Sequence, residues 1–282
     1  IRNMAETVTV NSGMLLNAAD TEALILIGSE NVITADIAGI FMPAVEEGQR
    51  VRKGEVIGGL ISSAISAVDQ GRPLLAQSTG LVCFHIDGNE GLMTRDNWEQ
   101  LDLAQLPQKD PGQTVPLGNW VDAGRPLAKI LDNLSNPMLG LEFGKKTIAD
   151  TPGLEAVEVG QTLRVKLLDK EPQTVKVVSI QQDAEKIRMA VQLDGFREDL
   201  IHLRRTPATL IVNQWKGFIV PREALVMREG VPGLYLLRKG WTRWKSVELV
   251  GETETQIVVK GLEEGDIVVT NPGLVKEGVR LH

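Results

Sequence analysis

The side chains best suited to chemistry in this sequence are three histidines, one cysteine, two adjacent carboxylate pairs and one lysine-ended glycine segment. His85, His202 and His282 are far apart, and none lies in a His-x-x-x-His spacing that would hold a metal on one helix face. Cys83 is the only cysteine, so no internal disulfide and no thiol metal site is expected. It sits in Leu81-Val82-Cys83-Phe84, where a small buried hydrophobe is expected and not a reactive thiol. Glu46-Glu47 and Glu263-Glu264 are neighbours in turns before glycine, so their carboxylates should diverge into solvent and not work as an acid–base pair. Gly140-Leu141-Glu142-Phe143-Gly144-Lys145-Lys146-Thr147 imitates a phosphate loop. It has three residues between its glycines where four are needed, and its hydroxyl comes one place late, so it reads as a strand and turn with a solvated basic end. Asp87-Gly88-Asn89-Glu90-Gly91 lacks the ligand spacing of a calcium loop and reads as a plain turn. A serine nucleophile elbow and a dinucleotide fingerprint are missing. No catalytic residue, no cofactor site and no metal ligand is expected.

A chain without chemistry must act through shape. Its 282 residues suggest two to four modules, and 43% hydrophobic with 24% charged residues is an ordinary globular composition. The net charge of −7 argues against a nucleic-acid partner. His202, Arg204 and Arg205 form one modest basic cluster, read as a solvated strand end, with contact to an acidic partner as the other reading. Apolar runs such as Leu24-Ile25-Leu26-Ile27 are too short to span a membrane, which takes about 20 residues. The chain opens at Ile1 without a signal-peptide pattern. An upstream segment is therefore expected to have been removed, and in an envelope protein that segment is where a membrane anchor would lie.

The elements available for positioning are nearly all strands. Short Val-, Ile- and Leu-rich runs alternate with glycine turns, and residues 174–177 alternate strictly. Helices are expected only over 94–106 and, more weakly, 62–68. An internal repeat organises the first half. Gly48-Gln49-Arg50-Val51-Arg52-Lys53-Gly54-Glu55-Val56-Ile57 and Gly118-Asn119-Trp120-Val121-Asp122-Ala123-Gly124-Arg125-Pro126-Leu127 share Gly-x-x-Val-x-x-Gly-x-x-aliphatic. Gly39-Ile40 and Gly80-Leu81 precede them as matching strand entries. Gly39, Gly48, Gly54, Gly80, Gly118 and Gly124 are thus assigned as structural turns, and so are Gly261 and Gly265 near the C-terminus. Neither half can bury its own apolar face, so the two should close into one flattened sandwich. The second carries an insertion over 85–115. Trp98 and Trp120 are expected to pack together or against this sandwich. Trp241, Arg243 and Trp244 offer a candidate aromatic–basic partner surface, although an ordinary hairpin arm is the favoured reading. Trp241 and Trp244, three apart, should face opposite sides.

Taken together, residues 38–57 and 75–82, the Val220-Pro221-Arg222-Glu223-Ala224-Leu225-Val226 strand entry and the Gly261-Leu262-Glu263-Glu264-Gly265-Asp266-Ile267-Val268-Val269 block resemble the membrane fusion, or periplasmic adaptor, family typified by haemolysin D-type secretion adaptors. Residues 159–212 are similar to its small barrel. The resemblance implies a mainly β, folded-back elongated chain built from a lipoyl-like barrel-sandwich hybrid, a small β-barrel and a membrane-proximal β domain. The boundaries it implies are 1–34 for N-terminal strands pairing with the membrane-proximal domain, 35–135 for the lipoyl-like domain, 136–213 for the barrel and 214–282 for the membrane-proximal domain. It further implies a non-enzymatic adaptor linking a membrane transporter, an ABC or other efflux permease, to the rest of an export path. A homo-oligomeric ring and an extracytoplasmic location are also implied, with anchoring to the cytoplasmic membrane at a Gram-positive surface or in a periplasm. Two departures matter. The joint over 61–73 holds no lysine, so an acyl-carrying role has no attachment point. Its thirteen residues are also too few for the family's helical hairpin, since two three-turn helices alone need about 22. The rival reading is a standalone structural or ligand-binding cell-envelope module.

Overall fold

The computed structural model describes residues 5–62, 71–101, 113–114, 118–168 and 170–280. They are arranged in a sandwich, a closed barrel and a C-terminal sheet. Among them no helix is long and apolar enough to cross a membrane.

The sandwich faces one sheet, ordered Trp120–Val121, Gly39–Pro43, Val56–Ile61 and Arg72–Leu75, against another, ordered Glu30–Thr34, Pro126–Leu131, Gly80–Cys83 and Arg50–Val51. Phe41, Ile57, Leu60, Val82, Leu127 and Ile130 fill the space between them and are fully buried. The two repeat halves exchange strands. Trp120 pairs with Ile40 of the first half, and Arg50 of the first half pairs with Leu81 of the second. The glycine turns repeat the same exchange. The Gly48 N–H donates to the Val82 carbonyl at 2.8 Å, and the equivalent Gly118 N–H donates to Phe41 at 2.9 Å. The Gly54 N–H reaches Ala76 at 2.8 Å, and Gly124 reaches Ala35 at 2.7 Å. These four glycines have φ of 75°, 86°, 74° and 84°, a left-handed backbone that costs a residue with a Cβ about 1–2 kcal/mol.

Gly39 and Gly80 are glycine for another reason. Both lie in extended strands, not turns. A Cβ on Gly39 would sit 2.7 Å from the Ile61 carbonyl oxygen, and one on Gly80 only 2.2 Å from that of Leu131. Close approach of a neighbouring backbone, and not φ, excludes the side chain. Gly261 and Gly265, with φ of 101° and 82°, do turn the chain into the strand Ile267–Val269.

Six antiparallel strands close the barrel in the order Thr162–Leu167, Gln173–Gln182, Lys186–Leu193, Met138–Gly144, Ser12–Leu26 and Arg205–Pro221, the last pairing back to the first. Inward side chains such as Ala23, Ile25, Leu141, Val165, Val191 and Leu210 form its core. Two of these strands run on beyond it. Ser12–Leu26 pairs with Arg205–Pro221 from Leu24↔Arg205 to Ser12↔Phe218, with a bulge between Ile211 and Asn213. At roughly 3.3 Å per residue, the 17-residue member of this ribbon reaches about 55 Å, so it serves both barrel and C-terminal sheet without a flexible connection. Its far end, Phe218–Pro221, pairs with Gln256–Lys260. Beside that lies the sheet Thr7–Thr9, Ile267–Val269, Val231–Arg238 and Val226–Arg228, with Trp241–Ser246 on its flank.

The N-terminal strands therefore pair with the C-terminal part only in their first half. Thr7–Thr9 pairs with Ile267–Val269 and Ser12–Asn17 with 213–218, while residues 18–26 are barrel wall and Glu30–Thr34 belongs to the sandwich. Alternation decides it: Ala19, Ala23 and Ile25 point into the barrel core, so this strand cannot be detached from it. The expected helix over 62–68 lies mostly outside the described residues, and so does the end of the one over 94–106. The described part of the latter holds a single 3-10 turn, Trp98–Gln100. There the Asn97 side chain accepts from the Thr94 N–H at 2.9 Å and donates to the Leu92 carbonyl, turning the chain where a helix would continue. At the phosphate-loop imitation, Met138–Gly144 is a strand as expected, but a short helix, Lys145–Asp150, follows it in place of a turn.

Candidate functional site

A dense meeting of ionisable groups lies where the sandwich meets the barrel. Arg204, at the barrel's rim, is buried among three carboxylates from the sandwich side. Its Nε donates to Asp87 Oδ2 at 2.6 Å and its Nη2 to Glu30 Oε2 at 2.7 Å. Lys129 Nζ, also buried, lies 3.3 Å from Glu30 and 3.6 Å from Glu90. The turn at 87–91 supplies these acids and orients them: the Asp87 and Gly88 N–H groups both donate to Glu90, and the Asn89 N–H donates to Asp87. Burial alone would raise the Asp87 carboxyl, but the Arg204 guanidinium and the Asn89 N–H outweigh it and hold the group well below the ordinary carboxylate range. Burial likewise opposes the Arg204 charge, and Asp87 and Glu30 more than offset it.

Two expectations change here. The basic cluster is not a solvated strand end, because Arg204 is the buried centre of an ion network. The turn after Asp87 is not plain, because it carries two of the network's carboxylates. No local spacing announces either fact, since Arg204 is 117 residues from Asp87 and 174 from Glu30.

The inserted segment holds the same joint a second way. Trp98 is buried against Met93 and against Leu24, Leu26 and Ala190 on the barrel's outer wall, and its edge comes within 3.0 Å of where a Cβ of Gly140 would be. Its indole N–H donates to Ser179 Oγ at 3.1 Å, and Arg188 lies over the ring at 4.9 Å from the centroid. Trp98 therefore clamps the barrel instead of the sandwich. It does not meet Trp120, which is 53% exposed on the sandwich's outer face.

Beside the ion network a cavity of about 620 Å³ is lined by Pro43, Val45, Glu47, Phe84, His85 and His202. The Glu47, Cys83 and His202 ligand atoms converge next to it, all within 4.8 Å of one another. Cys83 Sγ is 3.7 Å from His202 Nδ1, and Glu47 Oε1 is 3.8 Å from the same nitrogen. The Phe84 N–H donates to Glu47 Oε2 at 2.7 Å, so Glu47 turns inward and is not a freely solvated carboxylate. A cysteine beside a histidine invites comparison with a thiol nucleophile. Burial, however, pushes the Cys83 thiol up to about 12, and the Glu47 charge adds to the effect. Only the thiolate attacks, so this pair is not poised for covalent catalysis. Native Cys83 is expected to resist a thiol reagent at neutral pH and to react fully in urea. Fast labelling of the folded protein would contradict this.

At the other end of the molecule the candidate aromatic–basic surface divides. Trp241 and Arg243 are exposed on one side of their strand. Trp244 turns to the other, covering Gly233, where a Cβ would meet its ring at 2.4 Å. Arg228 lies over that ring at 5.0 Å while bonding Tyr235 Oη and Glu277. Trp244 therefore packs within the sheet, and Trp241 and Arg243 are the exposed members of the set.

Residues 30–132 match the family described as "RND related, barrel-sandwich hybrid domain". No curated protein matches the chain. Among solved structures it is similar to ZneB from Cupriavidus metallidurans, at 17% identity with 99% of this chain and 94% of that one covered and a TM-score of 0.35. It is also similar to MacA from Actinobacillus actinomycetemcomitans, at 14% identity, with 93% and 98% covered and a TM-score of 0.40. A third is the membrane fusion protein Spr0693 from Streptococcus pneumoniae R6, at 11% identity, with 70% and 100% covered and a TM-score of 0.35.

Proposed function

We propose that this chain, whose residues 30–132 match an RND-related barrel-sandwich hybrid domain, is a non-enzymatic adaptor linking a membrane transporter to the rest of an export path in the cell envelope. The domain match carries the reading. Two features support it. The joint over 61–73 contains no lysine that could carry a lipoyl or biotinyl arm, so the sandwich has no acyl group to move. Each junction described is also built for stiffness. A two-strand ribbon joins barrel to C-terminal sheet, and an ion network with a docked tryptophan joins barrel to sandwich. Stiff modules in series hold partners at a set spacing, which is the work of an adaptor. The adaptor acts outside the cytoplasm, anchored to the cytoplasmic membrane, with the Ile267 end of the chain nearest it.

Lateral assembly into a ring belongs to the same proposal, with a second copy of this chain as the neighbour. The outer face of the first sandwich sheet presents Ile40, Met42, Val56, Ile61, Leu75 and Trp120 to solvent, although its inner face is already packed. An apolar outer face on such a sheet has no role in the monomer and suits an equally uncharged surface. Met42→Glu and Trp120→Asp are expected to leave folding within about 0.5 kcal/mol of the parent, as exposed changes do, and to abolish self-association in light scattering. A parent chain that stays monomeric at high concentration would remove the ring from the proposal.

The rival, a standalone ligand-binding envelope module, draws support from the cavity beside Glu47 and His202. Purification of the membrane-anchored protein in mild detergent separates the two, since only the adaptor retains a polytopic transporter.

A further inference from the structure

We propose that Glu47, Cys83 and His202 bind a borderline-soft divalent transition-metal ion, zinc foremost, as a clasp between sandwich and barrel. The three offer one oxygen, one sulfur and one nitrogen ligand, the donor set that zinc accepts in sites with an open position. Glu47 and Cys83 come from the sandwich, at the turn before Gly48 and the end of the strand Gly80–Cys83. His202 comes from the barrel rim, two residues before Arg204.

The spacing fits. Zinc bonds of about 2.3 Å to sulfur and about 2.05 Å to nitrogen at tetrahedral angles place those ligands about 3.6 Å apart, and nitrogen and oxygen about 3.3 Å apart. The observed separations are 3.7 Å for Cys83 Sγ to His202 Nδ1 and 3.8 Å for Glu47 Oε1 to His202 Nδ1. The third side, Cys83 Sγ to Glu47, lies within 4.8 Å, and the half-exposed Glu47 and His202 side chains can move to close the triangle. The outer partners are in place as well. The Phe84 N–H holds Glu47 Oε2, which leaves Oε1 aimed at the site, and the His85 N–H donates to Cys83 Sγ at 3.4 Å. Backbone donors of this kind orient first ligands and stabilise a thiolate. The adjoining cavity gives the fourth position access to water. Cys83 holds its proton in the metal-free protein. On binding, the ion's charge displaces that proton to solvent and the sulfur ligates as thiolate, with no change in oxidation state.

Titration of the tag-free protein with zinc should show one ion bound per chain, and cobalt in its place should give a thiolate-to-metal charge-transfer band. Cys83→Ser should abolish the band, and Cys83→Ser and His202→Ala should each weaken zinc binding by at least about 10-fold with unchanged circular dichroism. Because the ligands come from two modules, zinc should raise the melting temperature of the parent and not of either variant. Glu47→Gln, which keeps an oxygen for the Phe84 N–H, provides a third variant that folds independently of the ligand question. Absence of saturable binding, or binding that persists equally in Cys83→Ser and His202→Ala, overturns the proposal.

Discussion

Replacing Arg204 with methionine is expected to destabilise the protein by about 3–5 kcal/mol, the scale for deleting one partner from a buried charge network. The loss does not measure the worth of the ion pairs themselves. It measures what remains: Asp87 and Glu30 stay buried, with only Lys129 near Glu30 to answer three carboxylates. Methionine restores most of the volume, so packing is a minor part of the effect. Arg204→Lys should recover little, because one ammonium cannot span Asp87 and Glu30 as the guanidinium fork does. Adding Asp87→Asn and Glu30→Gln to Arg204→Met should return a substantial part of the stability by removing the stranded charges. Equilibrium urea unfolding measures all of these, and a loss below about 1 kcal/mol for Arg204→Met would contradict the assignment of this joint. The pH dependence has a fixed sign. The Asp87 carboxyl is held below its unfolded value of about 3.9, so its contribution is complete above that pH and fades as the pH falls through the lower folded value. The Asp87 share of the joint's stability should therefore be unchanged between about pH 5 and 7 and weaken only below about 4.

Gly80→Ala is expected to cost about 3 kcal/mol or more, against about 1–2 kcal/mol for Gly54→Ala. Gly54 has a left-handed backbone but open space around it, so alanine there adds conformational strain alone. At Gly80 the added methyl would stand 2.2 Å from the Leu131 carbonyl oxygen and 2.8 Å from Ile130 Cγ2. Both neighbours belong to Pro126–Leu131, a strand hydrogen-bonded on each side, so they cannot retreat without breaking a ladder. Gly39→Ala should resemble Gly80→Ala, because Ile61 stands to it as Leu131 stands to Gly80. Equal losses at Gly80 and Gly54 would mean that the two halves do not interlock this closely.

These contrasts show what the sequence could and could not disclose. The repeat was legible because a Gly-x-x-Val-x-x-Gly spacing writes turn chemistry into adjacent positions, and the strand exchange follows once neither half can bury its own face. The two entry glycines were legible as glycines and misread in cause, since close approach by Ile61 or Leu131 involves residues 22 and 51 positions away. The full lengths of the strands Ser12–Leu26 and Arg205–Pro221 were hidden because Asn17 and Asp20 in the first, and Asn213 at a bulge in the second, look like turn residues. Asn17 is in fact buried, donating to the Pro152 carbonyl, and Asp20 accepts from Thr209. Arg204 was misjudged because charge in a sequence is read as surface, and its partners lie in two distant segments, at Glu30 and in the turn at 87–91. The Glu47–Cys83–His202 cluster was invisible for the same reason: a search for local ligand spacing cannot join residues brought together by two different modules.

The adaptor role itself is tested most directly by purifying the protein from its native membranes in mild detergent, alongside a version carrying Arg204→Met. The account predicts that the parent retains a polytopic export permease in stoichiometric amount, and that the variant, with its sandwich–barrel joint loosened, retains less. Recovery of the folded parent with no transporter bound, reproduced with every permease encoded beside it, would contradict the account and leave the standalone binding module in its place.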